Sequence, residues 1–429
     1  MRILQTVLLS LLLLLLVAGL VYAESPGPEP VASSPLNSAN KYVSPTGSGF
    51  SCSFTAPCSI FTARAQAAPG DFHFLRGGVY NIPTAGTSID FTASGTANAR
   101  ITWESYPGET AIWDGGALPE GTAKFIRVPG NYNTFRKIEI RNMPSQGFYM
   151  TGNNNIVEGM NIHDNKISGF HITDGGIPGN GSFNIFQNNI VKDNSDVNTS
   201  GGGNADGVSL SSGADNQILH NWVEHNSDDG IDTWKTQRTI VKWNISSRNG
   251  IGTGNGMGYK CGGAPPNDTQ LCEHNISFSN RTAGFDTNSG KNTTMRFNTS
   301  WNNANVGFIA CTGAANCTTL PPNNTVVTDN IAVANNAPFT GTGVFTNNSW
   351  QRGGTLTFMS TTPGDPNFLR PTIGGGFEDI GAYATSGQTF YMSPSGDDAR
   401  SCATATNINT PKRTIGSTSG SGGAGCLND

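Results

Sequence analysis

Residues 221–249 read NWVEHNSDDGIDTWKTQRTIVKWNISSRN, and this stretch decides the fold. It contains two copies of one phrase, in which Asn is followed by apolar or small residues and then by a second Asn five positions later. The first copy begins at Asn221 and the second at Asn244, 23 residues further on. Self-similarity at a fixed interval of this length predicts a repeat architecture.

The phrase recurs along much of the chain. Successive copies begin 32, 23, 31, 23 and 32 residues apart, which describes a 23-residue turn with insertions of eight or nine. Asn tolerates left-handed backbone and forms hydrogen-bonded ladders between stacked copies, so we expect it at the corners of stacked coils. The copies are Asn189/Asn194, Asn221/Asn226, Asn244/Asn249, Asn275/Asn280, Asn298/Asn303 and Asn330/Asn335.

A Gly followed by an apolar or aromatic residue comes shortly after each phrase. The residues around it alternate between apolar and polar, as in Gly207-Val208-Ser209-Leu210, which is the period of a half-buried strand. Short strands with Gly and Asn corners predict an all-β parallel β-helix. A β-propeller needs longer repeats, and a leucine-rich repeat would show its Leu frame. The recurring Gly residues are Gly147, Gly169, Gly207, Gly230, Gly258, Gly284 and Gly307.

The composition supports this fold class and excludes others. The 429 residues include 55 Gly and 46 Asn, which are poor helix-interior residues, so a helical bundle is excluded. A net charge of only −5, with 22 Phe, 9 Tyr and 7 Trp, argues against disorder. A pI near 5.7 without a Lys/Arg cluster argues against a nucleic-acid partner.

The two ends of the chain differ in composition from the repeats. The apolar run from Val7 to Val21, followed by Ala23, predicts a cleaved secretory signal, with an uncleaved membrane anchor as the alternative. Near the C-terminus, residues 391–396 echo residues 42–47, which indicates a truncated repeat or a C-terminal cap. The predicted division is signal peptide 1–23, linker 24–40, β-helix domain 41–383 and tail 384–429.

The eight Cys residues form close sequence neighbours. Because no CxxC spacing occurs, local disulfides in an exported protein are the favoured use, and a zinc site is disfavoured. The neighbours are Cys52/Cys58, Cys261/Cys272, Cys311/Cys317 and Cys402/Cys426.

Aligning the coils on the recurring Gly brings acidic residues together. The position before the Gly holds Asp206 in one coil and Asp229 in the next, with Asp228 beside it. The second position after the Gly reads Ser209, Asp232, Lys260 and Asp286 in four consecutive coils. Equivalent positions of stacked coils lie about 4.8 Å apart. We therefore expect Asp206, Asp228, Asp229 and Asp232 on two adjacent rungs, with Lys260 on the rung above Asp232.

Four carboxylates at this spacing repel one another unless a cation neutralises them. Calcium is the expected cation because it accepts six to eight hard oxygen ligands in irregular geometry. Lys260 lies in the Gly-rich segment 254–263, and a Lys beside a divalent cation can act as a base. The alternatives are an acidic solvated turn and a surface Lys.

Three segments in this order resemble the active-site series of the family 9 polysaccharide lyases, the pectate lyases: 204–207, 227–232 and 254–263. The resemblance implies a right-handed parallel β-helix, calcium on Asp206, Asp228, Asp229 and Asp232, and Lys260 as the catalytic base. It also implies β-elimination on polygalacturonate, in which calcium stabilises the carbanion and Lys260 removes the C5 proton. Sugar-contacting residues are not implied.

Two other functions stay open at this point. An inverting hydrolase of the polygalacturonase type also has clustered Asp on a β-helix, but the motifs Asn-Thr-Asp and Gly-His-Gly are lacking. A non-catalytic polysaccharide-binding or calcium-binding β-helix would give no role to Lys260. We expect a secreted monomer that acts on an acidic polysaccharide, pectate or another uronate, and that contacts no membrane after signal cleavage.

Overall fold

A computed structural model describes residues 25–36, 40–81, 88–116, 118–119, 126–263, 269–311 and 324–384. The predicted signal peptide and the tail from residue 385 onward lie outside these residues. So do Cys317, Cys402 and Cys426, and with them two of the four expected disulfide pairs.

The described residues form three parallel sheets. The first, sheet 1, has twelve strands: β1 (Lys41–Val43), β2 (Phe72–Leu75), β5 (Ile101–Ser105), β8 (Asn133–Arg136), β11 (Ile156–Glu158), β14 (Ile185–Gln187), β17 (Gln217–Leu219), β20 (Ile240–Lys242), β23 (Leu271–Glu273), β26 (Thr294–Arg296), β29 (Val326–Thr328) and β32 (Val344–Thr346).

Sheets 2 and 3 each have ten strands within the described residues. Sheet 2 contains β3 (Gly78–Asn81), β6 (Ala111–Asp114), β9 (Ile138–Arg141), β12 (Asn161–His163), β15 (Ile190–Lys192), β18 (Trp222–Glu224), β21 (Ile245–Ser247), β24 (Ile276–Phe278), β27 (Thr299–Trp301) and β30 (Ile331–Val333). Sheet 3 contains β4 (Ile89–Asp90), β7 (Ile126–Val128), β10 (Phe148–Met150), β13 (Phe170–Ile172), β16 (Val208–Leu210), β19 (Ile231–Asp232), β22 (Tyr259–Lys260), β25 (Ala283–Asp286), β28 (Val306–Ala310) and β31 (Ala337–Gly341).

From β2 onward the strand order within each sheet advances in steps of three, so each coil gives one strand to each sheet. This connectivity confirms the predicted parallel β-helix. The alternating residues of each strand point inward and form a continuous core. Aromatic side chains stack from coil to coil inside it: the rings of Tyr259 and Phe285 are 4.7 Å apart, and those of Phe285 and Phe308 are 4.9 Å apart.

The recurring Asn residues form two buried ladders, as predicted. Within the first ladder, the backbone N–H and the Nδ2 of Asn221 both donate to Oδ1 of Asn244 at 2.9 Å. Asn244 repeats the pattern on Asn275. The first ladder runs through Asn189, Asn221, Asn244, Asn275, Asn298, Asn330 and Asn348. The second runs through Asn165, Asn194, Asn226, Asn249, Asn280, Asn303 and Asn335. A third, unpredicted ladder joins Asn133, Asn155, Asn184 and Asn216.

The left-handed backbone expected of the ladder Asn falls instead on the residue before it. His220, Trp243 and His274 have φ of 54°, 56° and 55°, whereas the Asn residues that follow them do not have positive φ. The preceding residue makes the corner, and the Asn then points its amide into the coil, where it is fully buried. The ladder prediction was therefore right, but the conformational reason for it was wrong.

Helices are few among the described residues. They are α1 (Ile60–Ala65), α2 (Val197–Ser200) and a 3₁₀ helix (Ser349–Gln351). Ser59 caps α1 by accepting a hydrogen bond from the N–H of Thr62 at 3.1 Å. None of the helices in the described ranges has the length and apolar character needed to cross a membrane.

The structure confirms the first two predicted disulfides, Cys52–Cys58 and Cys261–Cys272. Both are buried. The second bridge begins at the residue after Lys260 and therefore fixes the chain on the C-terminal side of β22.

Residues 25–36, which composition assigns to a linker, lie along the outside of the helix. The N–H of Gly27 donates to the carbonyl of Trp243 at 2.8 Å, and the N–H of Glu29 donates to Oδ1 of Asn188 at 3.0 Å. Further along, the carbonyl of Ala32 accepts from Nη2 of Arg136 at 3.0 Å. The segment thus runs from later coils toward earlier ones.

Candidate active site

The recurring Gly residues bring the coils into register at the start of each sheet 3 strand. The N–H of Gly207 donates to the carbonyl of Asp229 at 2.9 Å, and the N–H of Val208 donates to the carbonyl of Gly230 at 2.9 Å. A Cβ on Gly207 would overlap Cγ1 of Val223 on β18. The position requires Gly because the chain passes too close to sheet 2 for any side chain to fit.

The predicted alignment of the second position after the Gly is confirmed. Parallel pairing joins Ser209 to Asp232, Asp232 to Lys260, and Lys260 to Asp286. Asp232 and Lys260 are therefore direct neighbours on adjacent strands, at the strand spacing of about 4.8 Å.

Three of the predicted carboxylates meet at one point. One oxygen each of Asp206, Asp229 and Asp232 lies within 4.8 Å of the other two. Asp228 is also buried, but it is not part of this group, and its Oδ1 accepts a hydrogen bond from the N–H of Asn255 at 2.5 Å. The coil alignment thus placed Asp206, Asp229 and Asp232 together, while the role of Asp228 as a ligand stays a prediction.

Backbone N–H groups orient each of the three carboxylates. Oδ1 of Asp206 accepts from the N–H of Asp229 at 3.3 Å. Oδ1 of Asp229 accepts from the N–H of Met257 at 2.7 Å, and Oδ1 of Asp232 accepts from the N–H of Trp234 at 2.9 Å. Because these contacts use Oδ1, the Oδ2 atoms of Asp229 and Asp232 can both face Lys260.

Lys260 lies directly against the cluster. Its Nζ is 2.6 Å from Oδ2 of Asp229 and 3.5 Å from Oδ2 of Asp232. Its side chain is only 10% exposed, so these contacts are shielded from water. Burial opposes its charge, but Asp229 and Asp232 outweigh this effect and raise the pKa of Lys260 above its ordinary value.

The four carboxyl groups titrate abnormally. Burial, reinforced by Asp232 and the other carboxylates, raises the pKa of Asp206 well above its usual range. Burial and the neighbouring Asp229 raise the pKa of Asp228 to about 6. Burial also raises the pKa values of Asp229 and Asp232 to about 6, although Lys260 acts in the opposite direction on both. The cluster therefore holds more negative charge near neutral pH than one ammonium group can balance.

This donor set fits a hard divalent cation. Oxygens bound to one Ca²⁺ at 2.3–2.6 Å can be at most about 5 Å apart. The oxygens of Asp206, Asp229 and Asp232 satisfy this limit as they stand, and they are carboxylates, which calcium prefers.

The sequence did not identify some residues that support the site. Asp196 is buried and accepts hydrogen bonds from Oγ of Ser227 at 3.0 Å and from Nδ2 of Asn204 at 3.0 Å. It thereby ties the segments before Asp228 and Asp206 together. Asp196 lies in an insertion between coils, where the repeat assigns no register, so its role could not be predicted from the repeat.

Arg281 has a similar supporting function in the next coil. Its Nη1 donates to the carbonyl of Gly254 at 3.0 Å and also contacts the carbonyl of Gly252. These contacts brace the Gly-rich loop that supplies the N–H groups of Asn255 and Met257 to the carboxylates. The position follows the ladder residue Asn280, but nothing in the repeat distinguishes it from other polar corners.

Comparison with known proteins identifies the family. The family model described as "Pel9A-like, right handed beta helix region" matches residues 41–317, more than half of the chain. A pectate lyase L of Dickeya chrysanthemi is 31% identical over 287 residues, which cover 62% of this chain and 66% of that protein. The pectate lyase PEL9 of Emericella nidulans is 31% identical over 325 residues, which cover 65% of this chain and 77% of that protein.

The fold agrees with a solved structure as well. The crystal structure of pectate lyase Pel9A superposes with a TM-score of 0.69 and 24% sequence identity, covering 87% of this chain and 97% of that one. The chain spans slightly less than two thirds of the Dickeya chrysanthemi relative, but the family match and the Emericella nidulans relative cover enough of each chain to settle membership. As the resemblance predicted, the chain belongs to the Pel9A-like family of right-handed β-helix proteins.

Proposed function

We propose that this protein is a secreted, calcium-dependent polysaccharide lyase that cleaves polygalacturonate by β-elimination, with Lys260 as the base. The observation that carries the proposal is the contact of a buried Lys with a cluster of three carboxylates. The names of the relatives, pectate lyase L and pectate lyase PEL9, support the same reaction and substrate. Two buried disulfides and the predicted signal peptide support export.

In this proposal Asp206, Asp229 and Asp232, together with Asp228, hold the cation. Bound calcium would supply Lewis-acid stabilisation of the negative charge that develops next to the substrate carboxylate. The carboxylates that hold the proton on Lys260 are the same groups that would hold the cation. Binding of the cation and release of the proton from Lys260 are therefore coupled through Asp229 and Asp232.

Lys260 removes the proton from C5 of the uronate, and the electron pair expels the sugar linked at C4, which leaves a 4,5-double bond. Its burial keeps bulk water from competing for the proton. Because the base must be neutral, the rate is expected to rise toward alkaline pH. The polysaccharide is the only partner this mechanism requires, and we propose that the protein acts as a monomer.

The carboxylate spacing disfavours the hydrolase alternative. Inverting glycosidases keep their two carboxyl groups about 6.5–9.5 Å apart to admit a water molecule. Here the three carboxylates approach within 4.8 Å, and Lys260 occupies the adjacent position. A site that only binds polysaccharide would not need a buried Lys at this position.

The test is the ultraviolet absorbance of the unsaturated product during incubation with polygalacturonate. Wild type is expected to produce it only with calcium, and Lys260→Ala is expected to lose about 10²–10⁴-fold in rate while still binding calcium. Lys242→Ala is the matched control, since Lys242 is ion-paired to Glu273 on sheet 1. Full activity of Lys260→Ala, or new reducing ends without the unsaturated product, would overturn the proposal.

A further inference from the structure

An exposed indole lies at the edge of the carboxylate cluster. Trp234 follows Asp232 by two residues, and 41% of its surface is exposed. Two residues of extended chain span at most about 7 Å, which is on the scale of one sugar ring. Trp234 is the one Trp among the exposed side chains of the described residues, and it lies beside the carboxylate cluster, where an indole can pack against a ligand.

The turn that carries Trp234 is fixed to the site. The N–H of Trp234 donates to Oδ1 of Asp232 at 2.9 Å. Oγ1 of Thr233 donates to the carbonyl of Lys260 at 3.0 Å and accepts from the N–H of Gly262 at 3.2 Å. The backbone of Trp234 is therefore held at a set position relative to both Asp232 and Lys260.

The segment after Lys260 is shaped to admit the indole. Gly263 has φ of +152°, and a Cβ on it would collide with Cδ1 of Trp234. The edge of the indole thus packs against bare backbone. The Gly pair 262–263 leaves room for Trp234, which no larger residue at position 263 would allow.

A positive charge accompanies the indole. Nζ of Lys235 lies 3.9 Å from the centre of the Trp234 ring, and Lys235 is exposed. It forms no salt bridge with any residue that the structure describes. Its ammonium group is therefore available to a negatively charged ligand that reaches the indole.

We propose that Trp234 and Lys235 form a subsite for the uronate unit next to the one that reacts. The indole face opposite Lys235 packs against the C–H face of the sugar ring, and the exposed Lys235 side chain turns from the ring so that its ammonium pairs with the carboxylate of that sugar. Packing against the indole does not depend on which sugar is bound, whereas the charge of Lys235 selects a sugar unit that carries a carboxylate. This subsite rests on the proposed lyase function, and it accounts for recognition of a polyuronate chain beyond the reacting unit.

The test compares KM and kcat on polygalacturonate for Trp234→Ala, Trp234→Phe and Lys235→Ala. Loss of an aromatic anchor is expected to raise KM roughly five- to thirty-fold for Trp234→Ala, with a smaller rise for Trp234→Phe. Lys235→Ala is expected to raise KM up to about five-fold, with an effect that shrinks at high salt. Calcium affinity and kcat are expected to stay within about three-fold of wild type.

Trp243→Phe is the matched control. Nζ of Lys242 lies 3.8 Å from the centre of the Trp243 ring, so the same pairing of side chains occurs there, at a corner beside sheet 1. Trp243→Phe is expected to leave KM unchanged. An unchanged KM in Trp234→Ala, or an equal rise in Trp243→Phe, would overturn the subsite.

A binding measurement separates failure of the subsite from failure of the lyase. Calorimetric titration of oligogalacturonate into Lys260→Ala and into Lys260→Ala/Trp234→Ala needs no turnover. Weaker binding by the double variant supports the subsite even if wild type yields no unsaturated product. Equal binding by both variants, or binding by neither, refutes the subsite, whereas the lyase proposal is overturned only by the product assay.

Discussion

Replacing Asp232 by Asn is expected to stabilise the calcium-free protein while impairing its site. Burial raises the pKa of Asp232 to about 6, from an ordinary 3.8. The folded state therefore binds this proton more tightly than the unfolded chain. The resulting cost to stability is absent below about pH 3.8, grows as pH rises, and is fully present above about pH 6.

The magnitude follows from the same values. A carboxyl group with a pKa of about 6 rather than 3.8 costs the folded state about 3 kcal/mol at pH 8. Two further effects of the substitution oppose each other. Asp206 is relieved of a neighbouring charge, and Lys260 loses a partner at 3.5 Å while keeping Asp229 at 2.6 Å. The Asn side chain still offers Oδ1 to the N–H of Trp234.

The assay is urea unfolding in EDTA at pH 4 and pH 8. Asp232→Asn is expected to increase the free energy of unfolding by about 3 kcal/mol at pH 8 and by much less at pH 4. Asp215→Asn is the control, because Arg238 lowers the pKa of Asp215 and the ion pair between them is exposed, so that it adds little to stability. That variant is expected to be unchanged or slightly less stable.

A loss of stability in Asp232→Asn at pH 8 would refute the reasoning, since it would mean that the carboxylate stabilises the fold. An equal gain at both pH values would also refute it, because the effect would then be unrelated to ionisation. In the presence of calcium, wild type is expected to be more stable than Asp232→Asn, because wild type gains stability from the cation and the variant gains less.

Two further predictions concern the framework of the site. Asn244→Ala deprives the buried N–H of Asn221 of its acceptor and is expected to cost about 2–5 kcal/mol in urea unfolding, whereas the exposed Asn198→Ala costs less than about 0.5. Replacing Cys261 and Cys272 by Ser opens a short loop and is expected to lower the free energy of unfolding by about 2–3 kcal/mol. Equal stability of the two Asn variants, or no loss in the Cys variant, would contradict these expectations.

The repeat made most of the site predictable. Gly207 and Gly230 fix the register of adjacent coils, so the neighbours Asp232 and Lys260 follow from counting along the chain. The same counting applies to any residue inside the repeating unit, because residues at equivalent positions of successive repeats become neighbours on stacked strands.

The features of the site and fold that could not be predicted depend on contacts that the repeat does not encode. Asp196 sits in an insertion, so its bond to Ser227 depends on how that loop closes. The corner before each ladder Asn holds residues as different as His220, Trp243 and Ala334, so residue type carries no signal for the left-handed backbone there. The third ladder has only four members and does not follow the two-Asn phrase.

The path of residues 25–36 has a consequence for the order in which the protein folds. This segment is synthesised before the coils that it contacts, and Glu29 is separated from its partner Asn188 by 159 residues. Gly27 can form its hydrogen bond to the carbonyl of Trp243 only after the coil that contains Trp243 has been made. Docking of the segment is therefore a late event that can occur only on a stack of finished coils, and its protection from a protease would report that the earlier assembly is complete.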